Sequence, residues 1–124
     1  MLRSRLRAFR FAFEGLGYLV RTQPNARIHL TVTVAVVFLA AWLRVDREGW
    51  VWLVLAIGLV WAAEAFNTAL EAVVDLTSPE KHPLAKAAKD VAAAGVLLAA
   101  FTAVAVGLLV LGPRLWAWLQ GGGG

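Results

Sequence analysis

Four polar side chains in the run Glu64–Asp75, EAFNTALEAVVD, have types and a spacing that suit chemistry. Glu64, Asn67, Glu71 and Asp75 follow one another at intervals of three, four and four. At about 100° per residue they fall within roughly 80° of one helix surface, with Phe66, Leu70 and Val73 on the other side. Carboxylates beside an amide carbonyl are hard oxygen ligands, the kind that hold Mg²⁺ together with substrate phosphates. A carboxylate in such a stripe can also act as general base and take the proton of a hydroxyl. Lys89 and Asp90 open the next apolar stretch. There a lysine can contact phosphate oxygens, and a nearby helix start would favour an anion. Hard ligands, a base and a cation are the parts of a phosphoryl-transfer site.

The setting of the stripe decides how it can be used. The 124-residue chain is 60% hydrophobic and 16% charged, one domain at most and too apolar for an ordinary soluble one. It has no cysteine, which removes disulfides, thiolate metal sites and cysteine nucleophiles. Lys and Arg number 12 against 8 Asp and Glu. A basic excess on so apolar a chain points to lipid headgroups or a phosphorylated substrate. No basic stripe interleaved with aromatics argues for nucleic acid. Carboxylates on a membrane-length helix are costly in hydrocarbon and by default mark function.

The elements that must carry the stripe follow from hydrophobic periodicity, which predicts an all-α membrane protein. Residues 2–18 read as an amphipathic helix in the headgroup plane, with Leu2, Leu6, Phe9, Phe13 and Leu16 opposite Arg3, Arg7, Arg10 and Glu14. The stretch is basic and no apolar core follows before Ile28, so it does not read as a signal peptide. Thr22-Gln23-Pro24-Asn25 permits a turn. Spans are expected over 28–45, 50–74 and 91–111, separated by a polar loop of Arg44, Asp46, Arg47, Glu48 and Gly49 and by a Pro- and Lys-bearing segment, 76–89. These make residues 1–112 a single membrane domain, with 113–124 as a C-terminal tail ending in four glycines. Ala92, Ala93, Ala94 and Gly95 would let helices approach closely. Trp50, Trp52 and Trp61 include residues suited to anchor at an interface, and Trp116 and Trp118 suit the far end of the third span.

Charge placement predicts the orientation. Six Arg precede the first span and three Lys lie between the second and third, against Arg44, Arg47 and Arg114 on the opposite side. The positive-inside bias puts the N-terminus and the 76–89 segment in the cytoplasm, and the C-terminus outside. Asp75 then reaches the cytoplasmic headgroup level, with Glu64 deeper, so the stripe is open to cytoplasmic solutes and to the inner leaflet. Chemistry on a lipid headgroup fits that depth better than a path across the bilayer.

Soluble nucleotide-binding designs are missing. There is no Walker A run, and Gly15-Leu16-Gly17 is followed by Val20 where GxGxxG needs glycine. No His–Cys–carboxylate cluster has zinc spacing. His29 reads as an interfacial or inter-helix hydrogen-bonding residue and His82 as a loop residue.

The run Glu64-xx-Asn67-Thr68-Ala69-Leu70-Glu71-xx-Val74-Asp75 is followed by His82-Pro83-Leu84-Ala85-Lys86-Ala87-Ala88-Lys89-Asp90 and an Ala/Gly-rich span. This pattern resembles the small prokaryotic diacylglycerol kinase family, integral-membrane lipid kinases, over about Phe9 to Leu111. The resemblance implies a surface helix plus three spans in a homotrimer with composite active sites, in the bacterial inner membrane. It implies ATP and Mg²⁺ acting on the primary hydroxyl of a membrane lipid. By the same resemblance Glu64 is the catalytic base and Glu71 the principal Mg²⁺ ligand, with Asn67, Asp75, Lys89 and Asp90 grouped around ATP and its phosphates. Gln23 stands where the family often has a second metal-coordinating glutamate, so an amide oxygen replaces a charged ligand. The loop His82–Lys86 and the run Arg27-Ile28-His29 look more like the undecaprenol kinase branch than the diacylglycerol branch.

From the residues alone two rivals remain. A cation-conducting bundle would need polar groups continuing to the outer half of the spans, and Val51–Ala63 offers none. A non-catalytic membrane subunit would leave the carboxylates without a reaction.

Overall fold

Helices form wherever the sequence predicts them, and their ends are set by identifiable side chains. The computed structural model describes residues 1–122 and comprises α1 (Leu2–Thr22), α2 (Pro24–Trp42), α3 (Arg47–Thr77), α4 (Pro83–Ala117) and a short π-helical stretch, Trp118–Gly122. No strand occurs among the described residues. Three of the helices, α2, α3 and α4 with its π-helical extension, are long and apolar enough to cross a membrane. At 1.5 Å per residue the 31 residues of α3 span about 46 Å, well beyond a hydrocarbon core.

Gln23 separates α1 from α2 in extended conformation, and Pro24 occupies the first position of α2, where its missing N–H costs nothing. At the other end of α2 the chain reverses through Leu43–Asp46, with Arg44 at φ 54 in the left-handed region. Asp46 caps α3 by accepting from the Gly49 N–H at 3.1 Å, and Glu48 places an acid in the first turn. Arg47, Glu48 and Gly49 are therefore the first turn of α3 and not part of the expected polar loop. His82 caps α4, its Nδ1 accepting from the Leu84 N–H at 3.1 Å, and Pro83 follows at the first position.

That cap corrects two expectations. The third long helix begins at Pro83, so Lys89 and Asp90 lie well inside it and the helix-start argument for an anion at Lys89 does not hold. At the far end the helix runs on through Pro113 to Ala117, overriding the expected tail from 113. Pro113 forfeits one backbone bond without ending the helix, because Arg114 continues it and ties it to the neighbouring loop. Of the expected glycine tail, Gly121 and Gly122 close the π-helical stretch, and Gly123 and Gly124 lie outside the described residues.

α3 and α4 form an antiparallel hairpin and make the most extensive contact in the chain. The core lies at the end of the bundle carrying the α2–α3 loop, where Ala40, Val45, Leu53 and Leu111 are buried among Val36, Leu39, Trp50 and Val110. A Cβ on Gly49 would collide with Val45 Cγ1 and sit 3.1 Å from Val110 Cγ1, so this close approach requires glycine. Arg114 Nη1 donates to the Arg44 carbonyl at 2.7 Å, and Trp118 lies against Trp42 with ring centroids 4.8 Å apart. Gly95 behaves otherwise: nothing stands within 4 Å of an added Cβ, so no helix of this chain uses the expected small-residue surface there. Phe38, Phe66, Leu76, Phe101 and Leu109 are exposed, an apolar exterior that lipid or another apolar surface has to cover.

Candidate active site

The buried face of α3 changes character along its length. Gly49, Leu53, Ala56 and Val60 are buried and apolar; one turn further on, the same face buries Glu64 and Thr68. The helical period that predicted the stripe therefore also grades it by depth. Glu64 is 1% exposed, Asn67 and Glu71 are half-buried, and Asp75 is exposed. Burying a carboxylate without a partner is costly, and here the partners are missing. Glu64 Oε2, Asn67 Oδ1 and Thr68 Oγ1 are all buried with no hydrogen-bond partner.

The side chain nearest to Glu64 Oε2 in charge terms comes from α2. His29 Nε2 stands 3.5 Å away, close enough to interact electrostatically and too poorly placed to form a hydrogen bond. One turn along, Trp61 Nε1 donates to Thr33 Oγ1 at 3.0 Å, and Thr33 Oγ1 donates to the His29 carbonyl at 2.6 Å. Trp61 is thus an inter-helix pin rather than the interface anchor its residue type suggested. His29 faces the neighbouring helix, in line with the inter-helix reading of the sequence, but its side chain forms no hydrogen bond there. The signal that marks it is a lone imidazole in an otherwise apolar span.

Below Glu64 the stripe meets α4. Lys89 Nζ donates to Asp75 Oδ1. Lys86 Nζ donates to Asp90 Oδ2 at 2.6 Å, one turn away on the same helix. Asp75, Lys86, Lys89 and Asp90 line an open cavity of about 740 Å³ between the end of α3 and the start of α4, together with Ser78, Lys81 and His82. Four residues expected around a phosphate site divide accordingly: Asp75, Lys89 and Asp90 share this cavity, whereas Asn67 does not line it. His82 is more than a loop residue, since it both caps α4 and lines the cavity.

Gln23 stands half-buried at the α1–α2 corner, where its backbone N–H bonds to the Leu19 carbonyl and its side chain approaches Thr22 Oγ1 at 3.5 Å. Among the described residues no three His, Asp or Glu side chains converge into a metal cage. A Mg²⁺ ion shared with phosphates keeps several waters and needs only one or two carboxylates, so a closed cage is not required. The unpartnered Asn67 Oδ1 and the half-buried Glu71 carboxylate, three and seven residues beyond Glu64 along α3, are oxygen donors of the right kind.

Residues 10–111 match the profile of the prokaryotic diacylglycerol kinase family. A diacylglycerol kinase of Synechocystis is 48% identical over 109 residues, covering 87% of this chain and 62% of that protein; the chain thus spans less than two thirds of that relative. An undecaprenol kinase of Bacillus subtilis is 36% identical over 109 residues, 88% of this chain and 89% of the relative. A diacylglycerol kinase of Escherichia coli is 33% identical over 106 residues, 86% and 87% of the two chains. The chain belongs to the prokaryotic diacylglycerol kinase family.

Proposed function

We propose that this member of the prokaryotic diacylglycerol kinase family phosphorylates the primary hydroxyl of a membrane lipid, using ATP, at the cytoplasmic leaflet of the bacterial inner membrane. The observation that carries the reading is Glu64, a carboxylate buried to 1% exposure whose Oε2 has no hydrogen-bond partner, on the same helix as an acidic stripe that ends at a lysine-bearing cavity. A structural carboxylate at such depth would be paired; one kept unpaired is available to react.

The chemistry divides between the two levels of the site. Glu64 takes the proton of the lipid hydroxyl as the lipid oxygen bonds to the γ-phosphorus. The bond from the γ-phosphorus to the bridging oxygen breaks, and its electron pair leaves with ADP. Lys89, held in place by Asp75, lies where it can neutralise charge on the nucleotide phosphates, and Asp90 and Lys86 border the same cavity. Glu71 and Asn67 would hold Mg²⁺, with Gln23 as a neutral further ligand. A metal ion held there would supply positive charge to offset that of the phosphates.

Nine cationic residues flank this end of the bundle, six Arg in α1 and the first turn of α2 and three Lys in the α3–α4 loop and the first two turns of α4, against Arg44, Arg47 and Arg114 at the other. That asymmetry supports a cytoplasmic N-terminus and an outer C-terminus. α1 would lie in the headgroup plane. Exposed apolar faces and the unused small-residue surface near Gly95 are consistent with a homotrimer whose copies complete one another's sites.

Undecaprenol is the first acceptor proposed, giving undecaprenyl phosphate, on the residues His82–Lys86 and Arg27–His29. Diacylglycerol, giving phosphatidic acid, is the second reading, and the names of the relatives divide between the two. Transfer of label from γ-labelled ATP with Mg²⁺ in mixed micelles, offering each lipid separately, tests the proposal. Label in undecaprenol alone is expected; label in diacylglycerol alone reverses the acceptor, and label in neither from folded protein removes the kinase reading.

A further inference from the structure

The mechanism above leaves two features unused: the imidazole of His29 beside Glu64, and the hydrogen bond between Trp61 and Thr33. They belong together. Thr33 lies four residues beyond His29 on α2, and Trp61 lies three residues before Glu64 on α3. Because the two helices run antiparallel, these offsets are one turn in the same direction. Trp61 Nε1 to Thr33 Oγ1, 3.0 Å, and His29 Nε2 to Glu64 Oε2, 3.5 Å, are therefore successive rungs between α2 and α3. The upper rung is a formed hydrogen bond between half-buried groups, extended by Thr33 to the His29 carbonyl at 2.6 Å. It fixes the rotation and height at which α2 presents His29 to Glu64.

We infer that His29 is a positioning residue for Glu64, and that the Trp61–Thr33 bond is the bracket that holds it in register. The inference rests on the reading of Glu64 as the base. A base must offer one ionised oxygen in a fixed direction, and an unpartnered carboxylate on a side chain with three rotatable bonds does not do so. A donor on Oε2 ties the carboxylate down and leaves the other oxygen for the lipid hydroxyl. His29 Nε2, 3.5 Å from Oε2 with no bond yet formed, is the nitrogen that can close into that donor: Arg27 of α2 is engaged by the Val20 and Arg21 carbonyls at 3.0 and 2.7 Å, and Lys89 of α4 by Asp75. Catalytic hydrogen bonds are often long before substrate binds and tighten in the complex, which fits 3.5 Å here. During transfer the lipid proton moves to the free oxygen of Glu64 while His29 keeps its own.

The test is steady-state lipid phosphorylation by the purified full chain in mixed micelles, with undecaprenol and diacylglycerol offered in parallel. In His29→Ala, kcat falls roughly 10–100-fold, the usual loss when an orienting partner of a reactive group is removed, with the KM for ATP and for lipid unchanged. His29→Gln, whose amide nitrogen reaches the place of Nε2, recovers most of the rate. His29→Asn, whose amide nitrogen falls at Nδ1, does not. Trp61→Phe lowers kcat in the same direction by a smaller factor. Wild-type kcat in His29→Ala, a loss confined to KM, or equal rates for the Gln and Asn variants overturns the inference. Should His29→Ala fail to fold, the Gln and Asn pair decides alone. Glu64→Gln runs beside them: activity retained there defeats the base reading itself, whereas loss there with a fully active His29→Ala defeats only this inference.

Discussion

The two halves of α3 bury the same face and meet opposite physical requirements. From Gly49 to Val60 every buried residue is apolar and packed, to the point that one added methyl group at Gly49 would collide with Val45. From Glu64 to Thr68 the buried residues are polar, and three buried oxygens, one each on Glu64, Asn67 and Thr68, lack hydrogen-bond partners. A helix optimised only for stability would continue the first pattern into the second half, since small and apolar contacts are what hold helices together in lipid. The contrast locates the function: one half holds the bundle, and the other carries the cost of staying reactive.

Substitutions can break that contrast from either side. The largest effect is expected at Glu64: changing it to Gln lowers turnover by about 10²–10⁴-fold, read as lipid phosphorylation per folded protein. Glu71→Gln comes next, and chiefly raises the Mg²⁺ concentration needed for half-maximal rate, by about tenfold or more for a lost charged ligand; an unchanged Mg²⁺ titration would detach Glu71 from the metal. In the packing half the effect moves from rate to stability. Gly49→Ala should cost about 1–3 kcal/mol by overpacking against Val45 and Val110, seen as a lower melting temperature with the rate per folded protein preserved. Asp46→Ala, which removes the cap on α3, should cost about 0.5–2 kcal/mol in the same measurement. At the small end, the Lys86–Asp90 pair is exposed and one turn apart, so Asp90→Asn should leave the melting temperature unchanged. Any drop in its rate would then report the cavity and not the fold.

Much of this was legible in the sequence because it depends on the helical period alone. Intervals of three, four and four place Glu64, Asn67, Glu71 and Asp75 on one stripe whatever the rest of the chain does, and long apolar runs specify the spans. Relations between helices were not legible. Nothing local says that His29 faces Glu64, because that depends on the register of α2 against α3, which a tryptophan at position 61 sets through Thr33. Gly49 looked like a loop residue and is a packing position, since only the arrival of Val110 from α4 makes glycine necessary there. The early start of α4 had a local signal that hydropathy obscured: a histidine followed by proline is a capping residue followed by a favoured first residue, even in a stretch too polar to span.

One variant tests the division of labour most directly. Glu64→Gln should be measured for melting temperature and for phosphoryl transfer on the same preparation. If the inner half of α3 holds an unpartnered carboxylate for reaction, neutralising it relieves a buried charge, and the protein melts at the wild-type temperature or above while turnover is lost. A variant that melts lower and still phosphorylates lipid would place Glu64 with the packing half of the helix and contradict the account.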